Sequence, residues 1–212
     1  MHALTSLVAI LSALMLGAMI PGPSFVLVAR NAIGLSRRDG LATALGMGAG
    51  AIVFACIALA GLYTLLSSVA WLYAGLKVAG GLYLLYLAVQ FWRGARREFA
   101  FDADIARRHG QPLRSFRIGL MTQLSNPKTA IWYGSIFAAL LPAHPPTIAY
   151  FVLPPAVFVL ETAWYTVVAL GFSTRQPREL YLRAKGVIDR VAAGAIAVLG
   201  LRLIINARGA GI

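Results

Sequence analysis

The sequence predicts an all-α integral membrane protein: six transmembrane helices arranged as two inverted three-helix repeats, with helices 1 and 4 broken at prolines. Three observations carry this. The 212-residue chain is 59% hydrophobic and only 12% charged, about half the charged share of roughly 25% usual in soluble proteins. Its apolar runs reach the roughly 20 residues that a helix needs to cross the hydrocarbon core. Its basic residues collect in alternate connectors, the pattern that sets orientation in a membrane.

Ala3 to Ala29 carries no charge and forms span one. It has neither a basic n-region nor a clear A-x-A site before Pro21, so it reads as a retained span and not as a cleaved signal peptide. Gly40 to Trp92 has one charge, Lys77, and holds two spans joined near Leu65 to Ala70. Ile118 to Leu141 is span four, and Pro142 to Pro146 is a turn. Thr147 to Phe172 is span five, with Glu161 inside it. Val191 to Ala207 is a shorter span six that contains Arg202. One transmembrane domain therefore fills 1–212: repeat one at about 3–92, a linker at 93–117 and repeat two at about 118–207.

The connectors fix the expected orientation. Arg30 to Asp39 holds three arginines, Arg93 to Arg117 seven, and Ser173 to Arg190 four arginines and Lys185. Fifteen of the nineteen basic residues thus lie on one side, which is expected to be cytoplasmic. With six spans both termini then face the periplasm; Arg202 and Arg208 speak weakly against this, and a re-entrant sixth span would put the C-terminus inside. The net charge of +12 is read as this topology signal and not as a nucleic-acid surface, because apolar runs separate the basic residues. The linker mixes Arg107 and Arg108 with Glu98, Asp102 and Asp104, the composition of a solvated segment beside lipid headgroups.

Two spans are interrupted. Pro21-Gly22-Pro23 cannot continue a regular helix in span one, and Pro127 interrupts span four inside the polar run Gln123 to Thr129. Pro127 is expected to leave backbone carbonyls near Gln123 without partners. Such backbone persists at membrane depth only where it is buried in protein or lines a wet cavity. Because each half has three spans, the second half is inserted upside down. That is the plan of inverted-repeat transporters, whose substrate sites lie where broken helices meet.

Depth adds to this. Pro21 lies nine residues from Arg30 and Pro127 ten from Arg117, which along straight helices is about 14–15 Å from the cytoplasmic edge. Glu161 lies fifteen residues from Pro146 and fourteen from Arg175, so it is central too. Lys128 and Glu161 are therefore opposite charges at similar depth. Each alone costs at least ~2.5–3.5 kcal/mol at the midplane, a cost that pairing or water reduces. Whether the two pair, or pair only for packing, stays open.

The candidate pathway residues are Pro21, Gly22, Pro23, Gln123, Asn126, Pro127, Lys128 and Glu161, with Asn31 and Lys77 as candidate lining residues. Lys77, near Trp71 and Tyr73, also suits a snorkelling role, and Arg202 is similar. Cys56 is isolated in an apolar run and reads as a packing residue. Gly40, Ala44 and Gly48, and Ala42, Gly46 and Gly50, repeat at four-residue spacing and mark a close helix interface. That interface lies within the subunit or between copies of a homo-oligomer. His2, His109 and His144 lie far apart, and no phosphate-binding loop occurs, so no metal site, cofactor or enzymatic activity is expected. A metal-cation exporter and a membrane scaffold or enzyme remain as alternatives. The scarcity of intramembrane carboxylates speaks against the first.

Four segments resemble one family. Pro21-Gly22-Pro23, followed by Arg30-Asn31, Gly40-Leu41 and Gly46-x3-Gly50, resembles the N-terminal signature of the lysine exporter / homoserine-threonine resistance family. Leu76 to Leu87 is similar to its third-span motif, Gln123 to Lys128 to its fourth-span motif, and Gly200 to Leu203 to its C-terminal signature. The resemblance implies a secondary exporter of an amino acid or close derivative in the bacterial inner membrane, coupled to protons. It also makes Lys77 and Arg202 family positions. Glu161 is not a motif residue, so its role rests on depth alone. For a zwitterion, Lys128 or N–H groups around Asn126 and Gly22 are expected to receive the carboxylate. Glu161 is expected to receive the ammonium or the coupling proton.

Overall fold

The computed structural model describes residues 2–68, 70–95, 110–142 and 145–208. Among them every element is an α-helix: α1 (His2–Met19), α2 (Pro23–Gly34), α3 (Arg37–Ser68), α4 (Ala70–Gly94), α5 (Pro112–Leu124), α6 (Pro127–Leu140), α7 (Thr147–Phe172) and α8 (Arg175–Arg208). Within α3, Arg37–Gly61 is long and apolar enough to cross a membrane, and so is α7. The pair α1 and α2, bent by 59° at the break between them, passes the same test when taken together, which gives up to three spans among the described residues.

Both expected breaks are present. Pro23 and Pro127 each occupy the first turn of the helix that follows. A missing N–H is tolerated there, because the first turn has no intrahelical acceptor for it. The 59° bend at the first break changes the depth argument. The nine residues from Pro21 to Arg30 now rise about 7 Å along the α1 axis, against about 14 Å for a straight helix.

The helices run further than the apolar stretches. Arg30 to Asp39 is expected as a connector, yet α2 ends at Gly34 and α3 begins at Arg37. Ser36 makes this short turn possible by accepting from the Asp39 N–H at 3.2 Å and donating to Asp39 Oδ2 at 2.6 Å. Asp39 is fully buried and also accepts from Ser115 on α5 at 2.7 Å, which ties the starts of α3 and α5 together. Ser173 to Arg190, expected as a polar connector, is mostly the first half of α8. Hydropathy marks where lipid ends and not where the helix ends, and this segment is rich in the straight-chain residues that favour helix. The turn after α6 and the join between α3 and α4 fall where expected. Most of the linker, including Glu98, Asp102, Asp104, Arg107 and Arg108, lies outside the described residues.

The glycine spacing in α3 serves two neighbours within one subunit. A Cβ on Gly46 would strike the Phe116 carbonyl oxygen and lie 2.8 Å from the Leu120 nitrogen, both on α5. A Cβ on Gly50 would lie 2.8 Å from the Gln123 side chain. On another face, a Cβ on Gly48 would strike Thr162 of α7. So α3 is clasped between α5 and α7, and small residues let the backbones approach.

Buried apolar residues fall into two clusters. The larger joins α1, α3, α4, α6, α7 and α8 around Ile10, Leu84, Tyr133, Ile136 and Leu153. The smaller joins α2, α3, α7 and α8 around Phe25, where Phe172 and Tyr181 meet the Phe25 ring at 5.3 and 5.0 Å. Large apolar side chains such as Phe151, Val159, Val167, Ile57 and Leu82 point outward, as expected where the surrounding solvent is lipid. Cys56 is among the exposed residues and does not pack inside. An outward apolar residue costs nothing in lipid, so an apolar run does not reveal facing.

Candidate functional site

The first break leaves the last carbonyls of α1 without intrahelical donors. Aromatic side chains from distant elements satisfy two of them. Trp164 Nε1 on α7 donates to the Ala18 carbonyl at 2.9 Å, and the Tyr181 hydroxyl on α8 donates to the Met19 carbonyl at 3.0 Å. Gly22 then takes an extended conformation and α2 starts at Pro23 with no side-chain cap.

The second break is satisfied locally. The Ser125 N–H donates to the Met121 carbonyl at 2.8 Å and the Asn126 N–H to the Gln123 carbonyl at 3.2 Å. The carbonyls near Gln123, expected to be unpartnered, are therefore bonded: the chain tightens into an i→i+3 closure before it breaks. Asn126 is the N-cap of α6, and its Oδ1 accepts from the Lys128 N–H at 3.1 Å.

Side chains bind the two breaks to each other. Ser24 Oγ, one residue past Pro23, donates to Gln123 Oε1 at 2.8 Å, and Asn126 Nδ2 donates to Ser24 Oγ at 3.3 Å. All three residues are buried. Beside them lies a cavity of about 40 Å³. One water needs about 10–15 Å³ of such space, so this conformation has room for a few waters and is too small for an amino acid.

Six of the expected pathway residues meet on the wall of this cavity: Gly22, Pro23, Gln123, Asn126, Lys128 and Glu161. Pro21 and Pro127 sit at the breaks without lining it. Asn31 is turned away, donating to Thr43 Oγ1 at 2.9 Å, and Lys77 is half-buried on α4, so neither candidate lining residue is on the wall. The wall residues that the sequence reading did not single out include Ser24, Trp132, Tyr133 and Tyr165. Trp132 had a signal, since it follows Lys128 by one helical turn. Ser24 had one in its place directly after Pro23. The other two had none.

Lys128 reaches from the second break to the first. Its Nζ would lie 3.5 Å from a Cβ built on Gly22, and it sits 4.3 Å from the centre of the Phe91 ring on α4. That ring attracts the cation at its face. Glu161 is only 3% exposed; its Oε1 accepts from the Tyr133 hydroxyl at 3.0 Å and its Oε2 has no partner. Trp132 Nε1 is buried without an acceptor. No ion pair joins Lys128 to Glu161: each is held by an aromatic residue instead. The other buried acid outside the α3 cap, Asp189, pairs with Lys185 at 2.7 Å. No group of three or more His, Cys, Asp or Glu is placed to hold a metal ion among the described residues.

The wall therefore presents one ammonium, one carboxylate with a free oxygen and one free indole N–H, between two interrupted helices. The family model for LysE type translocators matches residues 15–207, which span both breaks and all of the wall except Leu14. The chain belongs to this translocator family. The translocator is 37% identical over 189 residues to the threonine efflux protein of Escherichia coli (strain K12), a match covering 89% of this chain and 92% of that one. It is 38% identical over 192 residues to the threonine efflux protein of Salmonella typhi, with the same coverage of 89% and 92%. It is 31% identical over 189 residues to an uncharacterized membrane protein of Escherichia coli (strain K12), covering 87% and 82%. No solved structure matches the chain. Family membership and apolar helices together make the translocator an integral, multi-pass membrane protein.

Proposed function

We propose that this protein is a secondary exporter of an amino acid or close derivative across the bacterial inner membrane, driven by protons. The observation that carries this reading is the cavity at the paired breaks, where Lys128 and Glu161 stand on one wall without neutralising each other. A zwitterion needs that separation. Its carboxylate goes to Lys128 and the uncapped start of α2, where the free N–H groups and the helix dipole favour an anion. Its ammonium, or the coupling proton, goes to Glu161 Oε2.

The wider architecture fits. Counting α1 with α2 and α5 with α6 as broken spans gives six, in the order broken, long, long and again broken, long, long. That order supports two inverted repeats, with the basic connectors cytoplasmic and both termini periplasmic. The small cavity corresponds to a closed state, and export requires it to open alternately to the two sides. Relatives named threonine efflux proteins support an amino acid as the cargo.

The test is efflux from substrate-loaded proteoliposomes with Lys128→Ala and Glu161→Gln. Losing one charged contact to a buried partner costs 2 kcal/mol or more, so each variant should lose at least about tenfold in transport. Near-normal rates in both, with normal folding, would remove the site from the mechanism.

A further inference from the structure

Lys128 closes no ion pair among the described residues and rests on the Phe91 ring. The face of one ring is a modest hold for an ammonium. The acid whose charge acts on this ammonium is not Glu161 but Asp189 of α8. Asp189 stands two residues before the last apolar stretch, which begins at Val191. Its Oδ2 accepts from Lys185 Nζ at 2.7 Å, and Lys185 Nζ also donates to the Gly94 carbonyl at 3.0 Å. Gly94 follows Phe91 by three residues, close to one turn of α4. The last turn of α4 therefore holds both lysines, Lys128 by its Phe91 ring and Lys185 by its Gly94 carbonyl, with Asp189 within electrostatic reach of each.

The two lysines are not held alike. Lys185 is 8% exposed and sits where α8 is pressed onto α4: a Cβ on its neighbour Gly186 would lie 3.1 Å from the Ala95 carbonyl oxygen. Lys128 ends a flexible four-carbon stem beside the cavity at the breaks. Asp189 is only 3% exposed, yet its Oδ1 is buried without a partner. A buried carboxylate oxygen left without a donor is costly, and Lys185 is already engaged with Oδ2 and Gly94. The mobile lysine is the cation left to complete it.

We infer that Asp189 competes with the cargo carboxylate for Lys128, its free Oδ1 being the oxygen that the ammonium turns to as cargo is released. This rests on the exporter reading above. Asp189 is thereby a positioning residue: it acts on Lys128 and does not touch the cargo. In the closed conformation Lys128 stands between the two positions, on the Phe91 ring. Lys185 sets the strength of the competition. While it occupies Oδ2 it offsets part of the Asp189 charge, so Lys128 can leave again for the next cargo. A cationic site with no counter-ion would instead hold a carboxylate firmly and release it slowly.

The test measures efflux of threonine, alanine and lysine from proteoliposomes holding the full-length protein, over a range of internal concentrations. For whichever is transported best, Asp189→Asn should lower the half-saturating concentration at least about threefold, the scale of coupling between neighbouring charges, and lower the maximal rate as well. Asparagine keeps an oxygen for Lys185, so the contact between α8 and α4 persists. Lys185→Met frees Oδ2 and should raise the half-saturating concentration at least about threefold. An ion pair that serves packing alone predicts the same direction for both. Where Lys185→Met fails to fold, Lys185→Met/Asp189→Leu replaces it and should lower the half-saturating concentration as Asp189→Asn does. A wild-type protein that exports cargo, with Asp189→Asn within about twofold of it or shifted upward, overturns the competition and leaves Asp189 as the structural partner of Lys185. Shifts in the same direction in Asp189→Asn and Lys185→Met overturn it too. A wild-type protein that exports none of the three refutes the exporter reading itself, and the inference falls with it.

Discussion

Tyr133→Phe isolates the one contact that holds the Glu161 carboxyl. Tyr133 is 1% exposed, and its ring packs on Phe54 and Phe137 at centroid distances of 5.8 and 6.2 Å. Phenylalanine preserves that packing and removes only the hydroxyl, which donates to Glu161 Oε1 at 3.0 Å. Since Oε2 has no partner, the variant strips the acid of its last donor. A hydrogen bond to a charged group is worth about 1.5–3 kcal/mol, so the substrate concentration for half-maximal efflux should rise at least about tenfold. Efflux from proteoliposomes over a range of internal substrate concentrations measures it. The decisive comparison is a double-mutant cycle with Glu161→Gln. If Tyr133 acts by positioning Glu161, its substitution should add little once the acid is gone, a coupling of about 0.5–3 kcal/mol. Strictly additive effects would refute the reasoning and leave Tyr133 as a packing residue alone.

Four further substitutions test the scaffold. Gly46→Ala should lower the melting temperature in detergent and cost about 1–3 kcal/mol through overpacking, because its Cβ meets the α5 backbone. Gly61→Ala meets nothing within 4 Å and should be neutral or stabilising in the same melt. Trp164→Phe leaves the buried Ala18 carbonyl without its donor and should destabilise by about 1–3 kcal/mol, read as a lower melting temperature. Lys185→Met leaves Asp189, 3% exposed, as an unpaired buried acid and removes the donor to the Gly94 carbonyl. A loss of about 3–5 kcal/mol is expected, most of it recovered in Lys185→Met/Asp189→Leu, with thermal unfolding as the measurement.

The breaks were legible because proline acts through its own missing N–H, a property that needs no tertiary contact. Pro23 and Pro127 stand where that chemistry puts them. The alternation of Gly40, Gly46, Gly48 and Gly50 announced close packing, but not that two faces of one helix serve two different neighbours. The true reach of α2, α3 and α8 was hidden, because charged residues leave lipid without leaving the helix. Facing was hidden too: Cys56 looks the same in sequence whether it meets lipid or protein. Least legible were the partners of the break itself. Trp164 and Tyr181 lie more than a hundred residues from the carbonyls that they satisfy, and nothing local marks them.

These partners decide which groups remain for a ligand. Four carbonyls at the breaks are already bonded: those of Ala18 and Met19 by distant aromatic donors, and those of Met121 and Gln123 by the tight turn at Ser125 and Asn126. An ammonium cannot be held by those four carbonyls without displacing a donor, whereas Glu161 Oε2 is a buried side-chain acceptor that stays free. The helix starts differ in the same way. Asn126 caps α6 with its own side chain, whereas α2 has no side-chain cap and carries Lys128 Nζ close beside Gly22. Positive potential thus gathers at the first break, although the lysine belongs to the second. In the proposed site a zwitterion would therefore point its carboxylate toward the start of α2, where Lys128 Nζ adds its charge, and its ammonium toward Glu161 on α7.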